Sequence, residues 1–460
     1  MKKIFVMAML LFTAQQSLWA QSFKLPAYQK TKLKNGLTVY LMEQHEVPMV
    51  NVSVAVTAGS VKDGNRYGLA ALTADALLFG TKKYSKEQIE EKLEFVGAEL
   101  ATGAGKEASE ISASFAKKDQ ALVLDMLHDV LVNPVFDAQE FDKHKTRLVA
   151  QLKQQKESPR EVIGSYYNAF MYGSHPYGTP VTGSEGTVSK ITVQDVKQFY
   201  GKEYAPTETA IAVVGDFSAK AMLKEITALF GTWQPSSQPT KLNLGTPNLD
   251  FTESRILLVN KDDARETTFR IGGKGVTRNN SDYVGIQVIN TILGGRFTSW
   301  LNDALRVNSG LTYGANSRFD RLKYAGTFQI STFTKNSTTI EAIDMALDVL
   351  DSLHKHGVNQ EILNSAKNYV KGNYPPTYET SGALADLLTE MYIYGFDESV
   401  INNFQRDVDA ITPERAKEII AKYFPKNNLQ FVLTGKGSEI REKVKKYGKY
   451  SEKDIKTDGF

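Results

Sequence analysis

The sequence of 460 residues contains no cysteine. Disulfide bonds, thiolate metal ligands and a cysteine nucleophile are therefore excluded, and a metal site would need histidines and carboxylates. Acidic and basic residues nearly balance, giving a formal net charge of +3, so the charge excess typical of nucleic-acid-binding proteins is absent. Beyond the N-terminus no stretch approaches ~18 consecutive apolar residues, and no membrane span is predicted.

The only strongly apolar run lies at the N-terminus. Lys2 and Lys3 precede an apolar segment over residues 4–14, which is followed by polar residues and by Ala20. This pattern is typical of a secretory signal peptide, and the segment is too short to span a membrane as a helix. We predict a signal peptide over residues 1–20 and an exported, soluble, periplasmic mature protein.

The remaining sequence contains an internal repeat. Residues 190–217 and 410–437 align at a constant offset, and each segment reads as a helix, a turn containing proline and a β-rich run. Thr192 and Thr412 occupy matching positions where each can cap the helix. With 42% hydrophobic residues the chain can bury sizeable cores, so two equivalent units are predicted.

The boundary between these units is a segment without apolar periodicity. Residues 235–248 are rich in proline, serine, threonine and glycine, which is typical of a linker. We predict an N-terminal half over residues 21–234, a linker over 235–248 and a C-terminal half over 249–460. The fold class predicted is α+β, with two homologous halves that each form a mainly antiparallel sheet with helices packed on one face.

Local patterns place the main elements of both halves. A capping box of Ser85 and Gln88 begins one helix, and Asp137 with Glu140 begins another. Residues 272–275, of sequence GGKG, lack the rest of a phosphate loop and are predicted to form a bulge or turn. Alternating or β-branched runs predict strands that begin near Leu37, Val50, Glu110, Arg255, Thr267 and Gly326.

Four motifs in order along the chain resemble one known family. They are NGLTVYL from Asn35, GLAALTADALLFGT from Gly68, HPYGTPVTG from His175 and LGGRFTSWLNDALRVNSGLTYG from Leu293. Together they resemble the pitrilysin/insulinase family of zinc peptidases, particularly its processing-peptidase branch. The resemblance extends from about Lys24 to about Lys445, which is essentially the whole mature chain.

In active members of that family the first helix contains an inverted zinc motif, His-x-x-Glu-His. Two imidazoles and a remote Glu hold the metal, and the Glu within the motif acts as general base. The resemblance aligns Ala71, Ala74 and Asp75 with the three motif positions and Gln151 with the remote Glu. One carboxylate and one amide are too few ligands for zinc, so we predict no metal in this chain and no hydrolysis by the chain alone.

The histidines offer no substitute set. His128 is predicted to pack within a helix, and His175 belongs to a structural HPYG turn. His45 and His144 have no carboxylate or histidine at ligand spacing along the sequence. His354 and His356 lie on different faces of a helix end.

The second half retains a different motif. Arg306 and Tyr313 match the Arg/Tyr pair of the family, whose side chains donate hydrogen bonds to the substrate carbonyl and the tetrahedral intermediate. Donors aimed at a developing oxyanion are worth a few kcal/mol in acyl transfer. The alternative interpretation is a surface cation at Arg306 and a core aromatic at Tyr313.

The resemblance therefore predicts a non-catalytic subunit of a heterodimeric zinc peptidase. Its partner would be a paralogue that contains zinc, and Arg306 and Tyr313 would support cleavage of peptides or unfolded segments in the partner's site. The alternative is a peptidase-fold scaffold or peptide-binding protein with no hydrolytic role. A third hypothesis, an autonomous peptidase with an altered metal site, is disfavoured by the four replacements.

Overall fold

The computed structural model describes residues 23–460, so the predicted signal peptide lies outside the described residues. Two six-stranded mixed sheets with flanking helices follow one another along the chain. Within residues 23–460, no helix has the length and apolar character needed to cross a membrane. Residues 235–248, between the two sheets, contain no helix or strand.

The N-terminal sheet has the strand order β1-β2-β6-β3-β5-β4, in which only the β2–β6 pair is parallel. Its strands are β1 (Gln29–Lys32), β2 (Thr38–Glu43), β3 (Met49–Val56), β4 (Glu99–Ala104), β5 (Ser109–Ala116) and β6 (Thr209–Gly215). The accompanying helices are α1 (Leu69–Ala76), α2 (Lys86–Val96), α3 (Gln120–Val132), α4 (Ala138–Gln155), α5 (Pro159–Tyr172), α6 (Glu185–Val188), α7 (Val193–Glu203) and α8 (Ala219–Phe230).

The C-terminal sheet has the order β12-β7-β11-β8-β10-β9, with β12–β7 and β7–β11 parallel. Its strands are β7 (Arg255–Asn260), β8 (Glu266–Lys274), β9 (Asn316–Arg321), β10 (Gly326–Lys335), β11 (Gln430–Gly435) and β12 (Lys449–Asp454). Its helices are α9 (Tyr283–Asn290), α10 (Trp300–Asn302), α11 (Thr339–His356), α12 (Gln360–Thr377), α13 (Ser381–Tyr394), α14 (Ser399–Asn402), α15 (Phe404–Asp409), α16 (Pro413–Tyr423) and α17 (Gly437–Val444).

Each half also places one helix on the sheet of the other half. Helix α5 packs on β8 and β11, and helix α13 packs on β3 and β6. Tyr167 of α5 is fully buried, and its hydroxyl donates to the carbonyl of Phe328 at 2.7 Å. The predicted fold class is confirmed, and the second face of each sheet is covered by the opposite half rather than by solvent.

The repeated helix-strand units have the predicted local structure. The Thr192 hydroxyl accepts from the N–H of Asp195 at the start of α7, and the Thr412 hydroxyl accepts from that of Arg415 at the start of α16. In both halves the strand that follows, β6 or β11, lies inside its sheet and is completely buried. These two units therefore form equivalent parts of the two cores.

Candidate functional site

Helix α1 contains three of the four positions that correspond to the zinc motif. Its N-terminus is capped by the buried carboxylate of Asp63, which accepts the N–H groups of Gly68 at 2.9 Å and Ala70 at 2.8 Å. Burial raises the pKa of Asp63 to about 7, and burial lowers the pKa of the nearby Lys106 to about 8. The helix is therefore anchored by a polar group at its first turn.

Two of the motif positions on α1 offer no ligand. Ala74 is fully buried and Ala71 is 8% exposed, so both methyl groups pack within the N-terminal half. Asp75 is partly exposed, and its Oδ2 lies 2.9 Å from Nε2 of His144 on α4. A carboxylate and an imidazole thus meet at one of the positions that the sequence resemblance aligns with the zinc motif.

The sequence did not reveal this pair, because the partners are far apart along the chain. His144 has no carboxylate at ligand spacing along the sequence, but α4 packs so that His144 reaches Asp75 on α1. His144 precedes Gln151 by seven residues on α4, which places both on one helical stripe. This seven-residue spacing is the sequence feature that could have indicated that His144 lies on the same side of α4 as Gln151.

These residues do not fit a zinc ion. The Gln151 side chain is exposed, and the four aligned positions offer one carboxylate and one amide, to which His144 adds an imidazole, in place of two imidazoles and a carboxylate. Across residues 23–460, no cluster of three or more His, Cys, Asp or Glu side chains has a geometry that could hold a metal. No zinc-dependent step can be assigned to this chain's own residues.

Arg306 and Tyr313 lie at the two ends of a tightly hydrogen-bonded segment of the C-terminal half. Arg306 lies in a π-helical turn, Asp303–Asn308, a geometry frequent at functional sites. The carbonyl of Leu305 then accepts the N–H groups of Leu311 at 2.9 Å and Thr312 at 3.3 Å. Gly310 has a φ of +64°, which a residue without a side chain adopts readily.

The loop that contains Tyr313 is held by side chains on both sides. The Thr334 hydroxyl donates to the Leu311 carbonyl at 2.7 Å, and Asn302 Oδ1 accepts the N–H of Ala315 at 2.9 Å. The Tyr313 side chain nevertheless remains 85% exposed. The alternative interpretation of Tyr313 as a core aromatic does not hold, because a fixed backbone presents its ring to solvent.

Arg306 contacts an aromatic ring and has no charged partner inside the chain. Its guanidinium lies 4.3 Å from the centroid of the Phe297 ring, and within residues 23–460 it forms no salt bridge or side-chain hydrogen bond. Phe297 is 69% exposed and the neighbouring Val307 is 67% exposed. Cation–π contact orients the guanidinium while leaving its positive charge and its donors uncommitted.

A stacked column connects this loop to the N-terminal half. The rings of Tyr313 and Phe333 stack with centroids 6.4 Å apart, and the guanidinium of Arg160 lies 3.3 Å from the Phe333 centroid. Arg160 also pairs with Glu266 at 2.6 Å. Arg160 lies on α5, so this helix of the N-terminal half contacts the aromatic ring that lies beside Tyr313.

Two models of one protein family match successive parts of the chain. The model described as insulinase (peptidase family M16) matches residues 38–185, and the model described as peptidase M16 inactive domain matches residues 190–370. The first match lies within the N-terminal half, and the second begins just before α7 and extends into the C-terminal half. Together they include all the positions of both candidate motifs.

The relatives include proteins named as proteases or peptidases and a protein named as a non-peptidase homolog. An uncharacterized zinc protease of Streptomyces coelicolor is 22% identical over 85% of this chain and 86% of its own length. A non-peptidase homolog of Helicobacter pylori is 23% identical over 85% and 90%. A probable mitochondrial-processing peptidase subunit beta of Schizosaccharomyces pombe is 27% identical over 59% of each chain.

Solved structures show the same fold. The crystal structure of a peptidase M16 inactive domain from Pseudomonas fluorescens superposes with a TM-score of 0.83 at 26% identity, covering 89% of this chain and 98% of that one. A protease from Helicobacter pylori superposes with a TM-score of 0.82 at 18% identity, covering 89% and 100%. The chain therefore belongs to the pitrilysin/insulinase family, peptidase family M16, and is a protein of the peptidase fold.

Proposed function

We propose that this chain is the non-catalytic subunit of a heterodimeric zinc peptidase. It supplies Arg306 and Tyr313 to the active site of a paralogous partner that binds the zinc and cleaves peptides or unfolded segments. The observation that supports this most strongly is the uncommitted state of the pair: Tyr313 is exposed on a fixed loop, and Arg306 has no anionic partner within the described residues.

The chemistry of the pair suits acyl transfer at a partner's metal. A guanidinium and a phenol are both donors, and an oxyanion that develops on the substrate carbonyl gains from preorganised donors in a site from which water is excluded. Asp75 and His144 are hydrogen-bonded to each other, and the alanine side chains at positions 71 and 74 cannot bind a metal or accept a proton. The zinc and the general base therefore have to come from the partner.

The proposal includes export of both subunits. Residues 1–20 are expected to direct the chain to the periplasm, where the complex would meet peptides outside the cytoplasm. An extended substrate would use main-chain hydrogen bonds along a sheet edge, as peptides commonly do when bound to sheet proteins.

The test is reconstitution. The candidate partner is a paralogue with His-x-x-Glu-His and without the Arg/Tyr pair, and an adjacent open reading frame is the first place to seek it. Each chain alone and their equimolar mixture are assayed on a fluorogenic peptide, and the zinc content of each is measured. We expect activity only in the mixture, with one zinc per heterodimer held by the partner and no stoichiometric zinc in this chain.

A second candidate function is peptide binding without hydrolysis. It is favoured by β4, which is the last strand of its sheet and lies beside α1 at the degenerate motif. An extended peptide can add to such an edge by main-chain hydrogen bonds. Peptide binding by this chain alone, with no partner co-purifying and no activity in any mixture, would favour this candidate over the heterodimer.

A further inference from the structure

The C-terminal half contains a cavity of about 500 Å³ that the proposed function does not use. It lies among the segment before α9, the end of α12 and the segment from Phe396 to Asp407. Neither Arg306 nor Tyr313 lines it. The volume is within the range of about 300–1,000 Å³ that small-molecule sites occupy.

The walls of the cavity are rich in aromatic rings. Tyr283, Tyr374, Tyr378, Phe396 and Phe404 all line it. The Tyr374 and Phe404 rings stack with centroids 3.6 Å apart and an interplanar angle of 5°. Such walls provide flat apolar surfaces against which an aromatic ligand can pack.

Two arginines line the same cavity, and their environments differ. Arg278 pairs with Glu390, with its Nε 2.7 Å from the carboxylate. Arg321 has no carboxylate partner among residues 23–460, and its guanidinium lies 3.1 Å from the centroid of the Tyr283 ring. One Arg321 nitrogen donates to the Arg278 carbonyl at 3.1 Å, which fixes the group without neutralising it.

Glu390 raises the pKa of Arg321 from a distance, but its carboxylate is bound by Arg278, so the two arginines share this one negative charge. Asp407 also lines the cavity, but its Oδ1 is bound by the guanidinium of Arg406 at 2.8 Å. Burial lowers the pKa of Arg321 to about 10, so the side chain is still protonated at neutral pH. An anionic ligand would stabilise a half-buried cation that has no directly bound carboxylate, and a guanidinium matches the planar geometry of a carboxylate.

We propose that this cavity binds a small carboxylate with an aromatic body. The carboxylate receives hydrogen bonds from Arg321, and the ring packs against the aromatic walls formed by Tyr374 and Phe404. This inference is independent of the heterodimer, since it concerns a different part of the chain and requires no partner.

The probe for the test is N-acetylphenylalanine, titrated calorimetrically into the purified mature chain. Its uncharged counterpart, N-acetylphenylalaninamide, has the same ring and lacks the carboxylate. We expect saturable binding of the acid and at least about tenfold weaker binding of the amide, the usual loss when a charge-assisted hydrogen bond is removed. Arg321→Met should weaken binding of the acid by a similar factor.

The matched control is Arg441→Met, because Arg441 is a surface arginine paired with Glu452 and lines no part of this cavity. It should bind the acid as the unmodified chain does. Equal binding of acid and amide, undiminished binding by a folded Arg321→Met variant, or no saturable binding of the acid would each overturn the proposal. The comparison of acid and amide on the unmodified chain tests whether the cavity recognises the carboxylate even if Arg321→Met does not fold.

Discussion

The two motif regions of this molecule differ in how their polar groups are engaged. At the degenerate zinc motif, two positions are alanines buried in the N-terminal half, and Asp75 is bound to His144. In the C-terminal half, Arg306 has only an aromatic neighbour and Tyr313 projects into solvent. The polar groups of the first region are engaged by the packing of its own helices, whereas those of the second contact only aromatic rings within the described residues.

This difference distinguishes residues that stabilise the fold from residues whose side chains are available for function. A side chain that is buried and hydrogen-bonded contributes to folding whatever the protein does. An exposed tyrosine on a loop already fixed by other bonds adds little to the free energy of folding. The contrast is therefore testable, because replacements in the two kinds of position should change different observables.

The largest expected effect on stability is at the contact between the halves. Tyr167→Ala removes a fully buried ring and leaves the Phe328 carbonyl without its donor, so the free energy of unfolding should fall by about 3–5 kcal/mol. Tyr313→Ala should change it by less than about 0.5 kcal/mol. Chemical denaturation of both variants measures the difference, and similar losses would mean that Tyr313 has a structural role.

An effect of comparable size should appear in the pH dependence of stability. Because the pKa of Asp63 is raised by burial to about 7, the folded protein holds a proton that the unfolded chain releases above about pH 4. This contribution to the free energy of unfolding is complete below pH 4 and should be lost as the pH rises to 7. Since one pKa unit corresponds to about 1.4 kcal/mol, a rise from 3.8 to about 7 gives a contribution of about 4 kcal/mol.

The check is Asp63→Asn, whose amide oxygen can still accept the N–H of Gly68 or Ala70. Unfolding curves collected at several pH values between 4 and 7.5 should show a decline for the unmodified chain and a flatter profile for the variant. Parallel profiles would assign the pH dependence to other groups. Lys106, whose pKa burial lowers to about 8, loses its proton mainly above pH 7, and its contribution to stability there has the opposite sign.

The smallest effect is predicted for the pair that occupies the motif site. His144→Ala breaks a partly exposed contact with Asp75, which is worth at most about 1 kcal/mol, and should leave the activity of the reconstituted complex unchanged. Lys143→Ala is the matched control, since Lys143 is on the same helix and pairs with Glu140 on the surface. A large loss of activity in His144→Ala alone would show that the pair takes part in the reaction.

Local features of the fold were predictable from the sequence because they depend on neighbouring residues. The caps at Thr192 and Thr412 and the capping box at Ser85 each join a side chain to a backbone N–H within three residues. Strand and helix patterns likewise reflect burial of one face. The division into two α+β halves follows from these local signals and from the repeat.

The exchange of α5 and α13 between the halves was not predictable in this way. Which sheet a helix covers depends on contacts between residues far apart in sequence, and a helix buried against the sheet of the other half has the same apolar pattern as one buried against its own.

The prediction for Gly272 failed for the same reason, since it depends on a contact with a distant residue. The predicted bulge or turn is wrong there, because Gly272 lies within β8, where a Cβ atom would be 2.2 Å from the Tyr167 hydroxyl.

The candidate site was predictable in its positions and not in its contacts. The family motifs gave Ala71, Ala74, Asp75, Gln151, Arg306 and Tyr313 from the alignment of residue types alone. The bond between Asp75 and His144, the contact of Arg306 with Phe297 and the column through Phe333 and Arg160 all join separate segments. Of these contacts, only the bond between Asp75 and His144 had an indication in the sequence, which was the spacing of His144 and Gln151 on one helix.

The central claim is that the Arg/Tyr loop acts in a partner's active site, and the most direct measurement is the kinetics of the reconstituted complex with Arg306→Ala or Tyr313→Phe. Arg406→Ala and Tyr369→Phe are the matched controls, because both residues are exposed and lie outside the loop. The account predicts a fall of roughly 10² to 10³ in kcat for each loop variant, with little change in KM, melting temperature or partner binding, and control variants near the unmodified value. Unchanged kinetics in both loop variants of an active complex would contradict it.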